Sequence, residues 1–496
     1  MSKKANIQRL STGVPGLDKL LGGGLPEFSF NLIVGTPGSG KTTLAHQMMF
    51  SLASPDSKAL YFTVLGEPAL KMLRYQQQFA CFDISKIEES IQFVNLAADL
   101  FDGAFDRVLS RIAEKIKAYA PKFVFVDSFR SVERSAKEHT QGDLDLPRFM
   151  QQLGMQMSSW QATSFLIGEY LLPESETSPV FAMADGIICL SQSLHQNSML
   201  RKIQVVKMRG QAQQSGLHTF RIEDDGVRIF PRAIVKGSIS TQLAAEIPGT
   251  ETRVAMGTPA LDDMLGGGLP VGYSLLVVGP SGSGKTILAT QFLAEGVRLG
   301  EPGVIAAFEK SPSQLFGNKK LYSMVESGDV GVINTRSLDL SIDETLHDML
   351  NMIQKMKAKR VVIDSLTGFE LALAPEFSEN FRASLYRMIA ELTDLRVTIL
   401  MTSELEDRYT DLRFSPFGNA FLADAIIMQR YIELAGQFKR VISVVKVRSS
   451  AHSKDIRLFD ITDDGIVIGE MLSDYNGITT GSPEIDPHPK CQPHKG

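Results

Sequence analysis

Cysteine is scarce in this chain. Its 496 residues hold three, Cys81, Cys189 and Cys491, far apart and without a CxxC pair. That leaves no material for a disulfide framework or a cysteine zinc site, and it points to a reducing cytoplasm. Long apolar runs are missing as well, since no uncharged stretch reaches the ~18 residues that span a bilayer. The opening, MSKKANIQRLSTG, is basic but has no apolar segment behind it, so no secretory leader is expected. Charge of neither sign prevails. Lys and Arg number 51 against 56 Asp and Glu, a net charge of −5, which disfavours a surface built for nucleic acid or anionic lipid. Gly (41) and Pro (22) stand at ordinary levels, and 43% hydrophobic content can offset chain entropy, so collagen-like and disordered classes are excluded. At about 150 residues per domain, two to four domains are expected in a cytoplasmic protein without membrane association.

What the chain does have is a duplication. STGVPGLDKLLGGGLP from Ser11 recurs as AMGTPALDDMLGGGLP from Ala255, and GTPGSGKT from Gly35 recurs as GPSGSGKT from Gly279, both at an offset of 244. FVFVDS ending at Ser128 matches VVIDS ending at Ser365, offset 237, and VVKMRG from Val205 matches VVKVRS from Val444, offset 239. Four blocks in one order at nearly constant spacing are a tandem repeat of a large domain, too long for a solenoid unit. The expected division is residues 1–234 and 253–475, joined by a polar linker at 235–252 and followed by a disordered tail at 476–496, where four prolines follow Ser482.

Each copy reads as an α/β fold. FSFNLIVG and YSLLVVG are short apolar runs that end in glycine loops, and each is followed by a helical pattern. Further apolar runs (ALYFTV, FVFVD, SFLIGE, IQVVKM; GVIAAFE, VVIDS, VTILMTSE, ISVVKV) alternate with helical stretches such as Phe105 to Tyr119 and Ile342 to Lys357. That alternation implies a mostly parallel, buried, twisted sheet flanked by helices. A short antiparallel pair around Arg201–Val206 and Thr219–Ile222 is expected to extend it.

The glycine loops fit GxxxxGK followed by Ser or Thr, the P-loop of nucleoside-triphosphate hydrolases. Glycines let successive backbone N–H groups curl around phosphates, and the positive end of the following helix faces the anion. The residues expected to bind nucleotide are Gly35, Thr36, Pro37, Gly38, Ser39, Gly40, Lys41, Thr42 and Thr43, and Gly279, Pro280, Ser281, Gly282, Ser283, Gly284, Lys285, Thr286 and Ile287. Lys41 and Lys285 reach phosphates, and the hydroxyls of Thr42 and Thr286 suit Mg²⁺. Asp127 and Asp364 close neighbouring strands, where a carboxylate either holds Mg²⁺ through water or caps the next helix. Glu309 ends the strand GVIAAFE and is placed as a general base. At the same offset copy one has Leu65, with Glu67 two residues beyond, roughly 6.5 Å along a strand. Copy one therefore uses Glu67 or binds nucleotide and hydrolyses it poorly; the bland reading of both acids is a solvated loop. Lys207 with Arg209, and Lys446 with Arg448, share one face of a terminal strand. Such a pair is either a solvated edge or a cationic finger for a neighbouring subunit's phosphate.

Taken together, the opening block, the two P-loops, the VDS and IDS strands and the KxR strands resemble the KaiC family of double RecA-like ATPases over roughly residues 8 to 470. The resemblance implies two tandem RecA-like P-loop domains in a homohexameric double ring. It implies ATP with Mg²⁺ between adjacent subunits, and Lys207, Arg209, Lys446 and Arg448 acting in trans. It also matches Glu309 to the first of a paired-glutamate motif and His452 to a histidine after KxR, and it implies small regulatory protein partners of the KaiB type. Departures are Leu65-Gly66 and Glu309-Lys310 at the paired glutamates, and Gln213 at the histidine position of copy one. Where cyanobacterial members carry autophosphorylated Ser and Thr, this chain has Ala420 and Phe421. The expectation is an ATP-hydrolysing signalling or timing switch without that phosphorylation cycle. Two alternatives stay open: a serine/threonine autokinase using other acceptors, and a RecA- or DnaB-like motor on DNA. The second is disfavoured because LLPESETSPVF has no basic residue, and because Glu404, Glu406, Asp407 and Asp411 face only Arg408 and Arg413.

Overall fold

The computed structural model describes residues 7–63, 69–100, 105–127, 152–157, 159, 161–170, 179–195, 198–232, 252–308, 313–314, 317–334, 341–373, 381–405, 422–434, 436–473, 475–476 and 484–485. The chain divides into two compact units, Met1–Arg232 and Ala233–Gly496. Linker positions 235–251 lie outside the described residues, as does most of the expected tail, within which Glu484–Ile485 pairs antiparallel with Tyr475–Asn476.

Unit one holds a nine-stranded sheet whose strands are β1 Phe30–Gly35, β2 Ala59–Thr63, β3 Ile91–Asn95, β4 Phe123–Asp127, β5 Thr163–Gly168, β6 Gly186–His195, β7 Ser198–Met208, β8 His218–Glu223 and β9 Gly226–Phe230. Their order across the sheet is 3-2-4-5-1-6-7-8-9. The first six are parallel to their neighbours and the last three run antiparallel. Unit two repeats it with β10 Ser274–Gly279, β11 Gly303–Ala307, β12 Val330–Asn334, β13 Arg360–Asp364, β14 Thr398–Glu404, β15 Ala425–Leu434, β16 Gln437–Val447, β17 Ile456–Thr462 and β18 Gly465–Met471. The order is 12-11-13-14-10-15-16-17-18, the same topology. The mostly parallel α/β reading holds. The antiparallel extension is three strands in each unit rather than a short pair, because β6 and β15 each run on into a long antiparallel partner. Strands β3 and β12, at the sheet edge, escaped the sequence reading; IQFVN and VGVIN are too short and too mixed to stand out.

Burial on both faces explains why the central strands read as unbroken apolar runs. Leu275, Leu276, Val277 and Val278 are all 0–1% exposed, as is Ile33. Helix α1, Lys41–Leu52, follows β1 and packs on β4 and β5; α2, Phe105–Tyr119, packs its apolar face (Val108, Leu109, Ile112, Ile116) into the core on the Val124–Val126 side. In unit two α3, Lys285–Arg298, and α4, Ile342–Met356, take these places. Among the described residues no helix is long and apolar enough to cross a membrane.

Candidate functional site

Both glycine loops sit at the C-terminal edge of a parallel sheet, between β1 and α1 and between β10 and α3. Gly40 (φ 97°) and Gly284 (φ 102°) turn the chain into the helix through left-handed backbone that only glycine adopts without strain. A Cβ on Gly40 would also lie 2.6 Å from Ile222 Cδ1, so the bend is closed from behind by the antiparallel extension.

Side chains of each loop come together beside the strand-end acid. Lys41 Nζ donates to Thr36 O at 2.8 Å; Lys285 Nζ donates to Gly279 O at 2.8 Å and Pro280 O at 2.7 Å. Both lysines thus fold back over their own loop. Burial is the largest influence on Lys41 and pushes its ammonium pKa down; the carboxylates of Glu169 and then Asp127 pull it back up. Thr42 Oγ1 donates to Asp127 Oδ2 at 2.8 Å, and Thr286 Oγ1 to Asp364 Oδ2 at 2.9 Å. Each pair brings a hydroxyl and a carboxylate together from residues 85 and 78 apart in sequence. Hard oxygen donors beside a phosphate-sized cradle are the chemistry that Mg²⁺ takes, so the residues present fit that ion.

The helix-cap alternative for the strand-end acids fails in copy two. Ser365 Oγ caps α5, Leu366–Ala372, by accepting from Gly368 N at 3.0 Å. The Asp364 carboxylate is left to Thr286 and to Thr402, whose Oγ1 donates to Oδ1 at 2.6 Å. In copy one Asp127 Oδ2 accepts a second bond from the Tyr61 hydroxyl at 2.8 Å. Burial pushes the Asp127 carboxyl up, and the bonds from Tyr61 and Thr42 oppose that. In copy two a cleft of about 300 Å³ opens here, lined by loop residues between Ser281 and Ile287, by Asp364 and Ser365, and by Glu404.

Glu404 and its counterpart Glu169 were missed by the sequence reading. Glu404 closes β14 in register with Gly279, the first residue of the loop. Glu169 follows β5 at the matching place and is the foremost charge acting on Lys41. The signal was present, since both SFLIGE and VTILMTSE end in glutamate, but loop acids are common and nothing singled these out. Glu309, Lys310, Leu65, Gly66, Glu67, Ser128, Ala420 and Phe421 lie outside the described residues.

The KxR residues stand at the other end of the sheet. Lys207 pairs across to Ile187, beside Leu32 on β1, and Lys446 pairs to Ile426, beside Leu276 on β10. Three strand residues, roughly 10 Å, separate that level from Gly35 or Gly279, where each loop leaves the sheet. Lys207 Nζ donates to Phe181 O and Ala182 O at 3.3 and 3.2 Å, and Lys446 Nζ to Ala423 O at 2.7 Å. Arg209 pairs with Asp185 at 3.2 Å and Arg448 with Asp424 at 3.1 Å, both guanidinium side chains being more than half exposed. His452 follows in the loop between β16 and β17, where Ser453 N bonds Met264 O at 2.8 Å; Gln213, its copy-one counterpart, donates to Val205 O at 3.1 Å.

Comparison with known proteins meets this geometry from another side. A family model described as "ATPase: KaiC" matches residues 10–234 and again 254–473. The circadian clock protein KaiC3 of Synechocystis sp. is 28% identical over 495 residues, covering 96% of this chain and 95% of the relative. The circadian clock oscillator protein KaiC of Picosynechococcus sp. is 28% identical over 491 residues, covering 96% and 92%. That of Prochlorococcus marinus is 27% identical over 496 residues, covering 97% of each chain.

Proposed function

The chain belongs to the KaiC family of ATPases, and on that premise we propose that it is an ATP-driven switch whose nucleotides lie between protomers of a homohexameric double ring. One observation carries the reading. In both units the KxR lysines sit three strand residues, roughly 10 Å, back along the P-loop strand from their own phosphate loop, with the arginines beyond them, so the phosphates they suit belong to another subunit.

In each site the loop N–H groups and Lys41 or Lys285 bind the phosphates of ATP. Thr42 with Asp127, and Thr286 with Asp364, hold Mg²⁺, which neutralises charge on the phosphate oxygens when bound. Lys207 and Arg209, or Lys446 and Arg448, come from the next protomer and meet the charge that develops as the terminal phosphoryl group leaves. Glu309 takes the proton of the attacking water in copy two, with His452 beside the finger strand. Copy one has Leu65 at that place and Glu67 beyond it, and serves mainly to hold nucleotide and ring. The ring's product is a conformational state read by small regulatory proteins of the KaiB type in the cytoplasm, and the clock role named for the relatives supports a function in timing. Ala420 and Phe421 leave no hydroxyl for the family's phosphorylation cycle at those positions.

Native mass measurement with and without ATP and Mg²⁺, on the parent and on Lys41→Ala and Lys285→Ala, tests the assembly. Hexamers dependent on nucleotide and on an intact Lys41 are expected; a monomer at saturating ATP and Mg²⁺ would end the reading.

A further inference from the structure

The two copies steady their metal-side carboxylate with different hydroxyls, taken from opposite flanks of the strand that carries it. In copy one Tyr61, on β2, donates to Asp127 at 2.8 Å. In copy two Thr402, on β14, donates to Asp364 at 2.6 Å. The sheet register makes the exchange explicit. Tyr61 pairs with Phe125 on β4 as Ile305 pairs with Val362 on β13, so Ile305 is the copy-two counterpart of Tyr61. Ile167 pairs with Ile33 as Thr402 pairs with Val277, so Ile167 is the copy-one counterpart of Thr402. Each copy has one hydroxyl and one isoleucine, in reversed places.

The side-chain lengths fit this exchange. Ile167 pairs directly with Asp127, so a threonine there would touch the carboxylate. Tyr61 stands opposite Phe125, two residues back, and only a phenol ring spans the difference. Packing alone explains neither hydroxyl, because in the other copy a fully buried isoleucine fills the same place. A hydroxyl carried into so dry a core costs stability unless it is bonded, and both are bonded to the acid.

We propose that Tyr61 is a positioning residue of the first nucleotide site, its hydroxyl aiming Asp127 at the ion that Thr42 shares, as Thr402 aims Asp364 in the second site. The inference rests on the Mg²⁺ reading of both sites. Its test uses the full chain with Lys285→Ala and Asp364→Ala, so that copy one alone reports. The chain is loaded with a non-hydrolysable ATP analogue and titrated with Mn²⁺, the free ion being read by electron paramagnetic resonance. Loss of a hydrogen bond to a charged group should make Tyr61→Phe bind Mn²⁺ about tenfold more weakly. Adding Ile167→Thr should bring affinity back to within about twofold, which repair of packing by a smaller side chain would not do. Unchanged affinity in Tyr61→Phe, or no recovery with Ile167→Thr, would overturn the proposal. If Tyr61→Phe does not fold, the reciprocal pair decides: with copy one silenced by Lys41→Ala and Asp127→Ala, Thr402→Val should weaken Mn²⁺ and Ile305→Tyr should restore it. Failure of the unmodified sites to hold Mn²⁺ with the analogue would instead refute the metal reading itself.

Discussion

Arg448 offers a clean separation of fold from function. Its guanidinium pairs with Asp424 at 3.1 Å, but the side chain is 51% exposed, and a pair so open to water contributes about 0–1 kcal/mol. The bond that ties this corner to the sheet is another one: Asp424 Oδ2 accepts from Ser274 N at 3.0 Å and from Ser274 Oγ at 2.8 Å. The backbone bond from Arg448 N to Asp424 O, 2.9 Å, survives any side-chain change. Arg448→Ala should therefore lower stability by less than about 1 kcal/mol, leave its own P-loop intact, and still fold. If the residue completes a neighbour's site, turnover in copy two should fall on the order of 10³-fold, the scale of a cationic finger. Urea unfolding followed by circular dichroism gives the first quantity. Steady-state ATP hydrolysis in a Glu67→Gln background, which keeps nucleotide in the first ring, gives the second. A loss above about 2 kcal/mol with turnover unchanged would make Arg448 a fold residue and refute the reasoning.

Two further outcomes are expected. Glu309→Gln should remove most of the ATPase, by about 10²- to 10⁴-fold, while nucleotide binding and assembly persist, and Glu67→Gln should matter less; the opposite ranking in steady-state assays would reverse the assignment. Asp262 has its pKa pushed up to about 6, chiefly by burial, the bond from Met256 N opposing this. The folded chain then binds the proton more tightly than the unfolded one, so this group costs unit two stability as pH rises from about 3.8 through about 6. Asp262→Asn keeps an acceptor for Met256 N and should flatten that part of a stability–pH profile; an unchanged slope would show the group to be inert.

The sequence made the engine legible and hid its supports. Lys41, Thr42, Lys285 and Thr286 were readable because the phosphate cradle demands fixed residue types at fixed spacing within one short segment. Asp127 and Asp364 were readable as strand ends, but a strand-end acid can also cap the next helix; in copy two the placement of Ser365 Oγ on Gly368 N gives the cap to Ser365. Asp185 and Asp424, which pair with Arg209 and Arg448, precede β6 and β15 and carry no local pattern. Tyr61 and Thr402 look like ordinary members of apolar strands, and their meaning emerges only from contact with acids 66 and 38 residues away in sequence. Arg360, buried inside β13 and bonded to Ala255 O at 2.7 Å, shows the same blindness: in sequence it is the charged edge of an apolar run, in the fold it is a strut.

Sharing of each site between protomers is most directly tested by mixing. One batch carries Glu67→Gln and Glu309→Gln, so its loops hold nucleotide without the base and its KxR residues are intact; the other carries Arg209→Ala and Arg448→Ala, the reverse. Each alone should hydrolyse little ATP. Mixed at equal amounts and reassembled, about one junction in four joins an intact base to an intact KxR pair, so activity should rise to about a quarter of the parent's. A mixture no more active than the mean of its two components would contradict a site built from two chains.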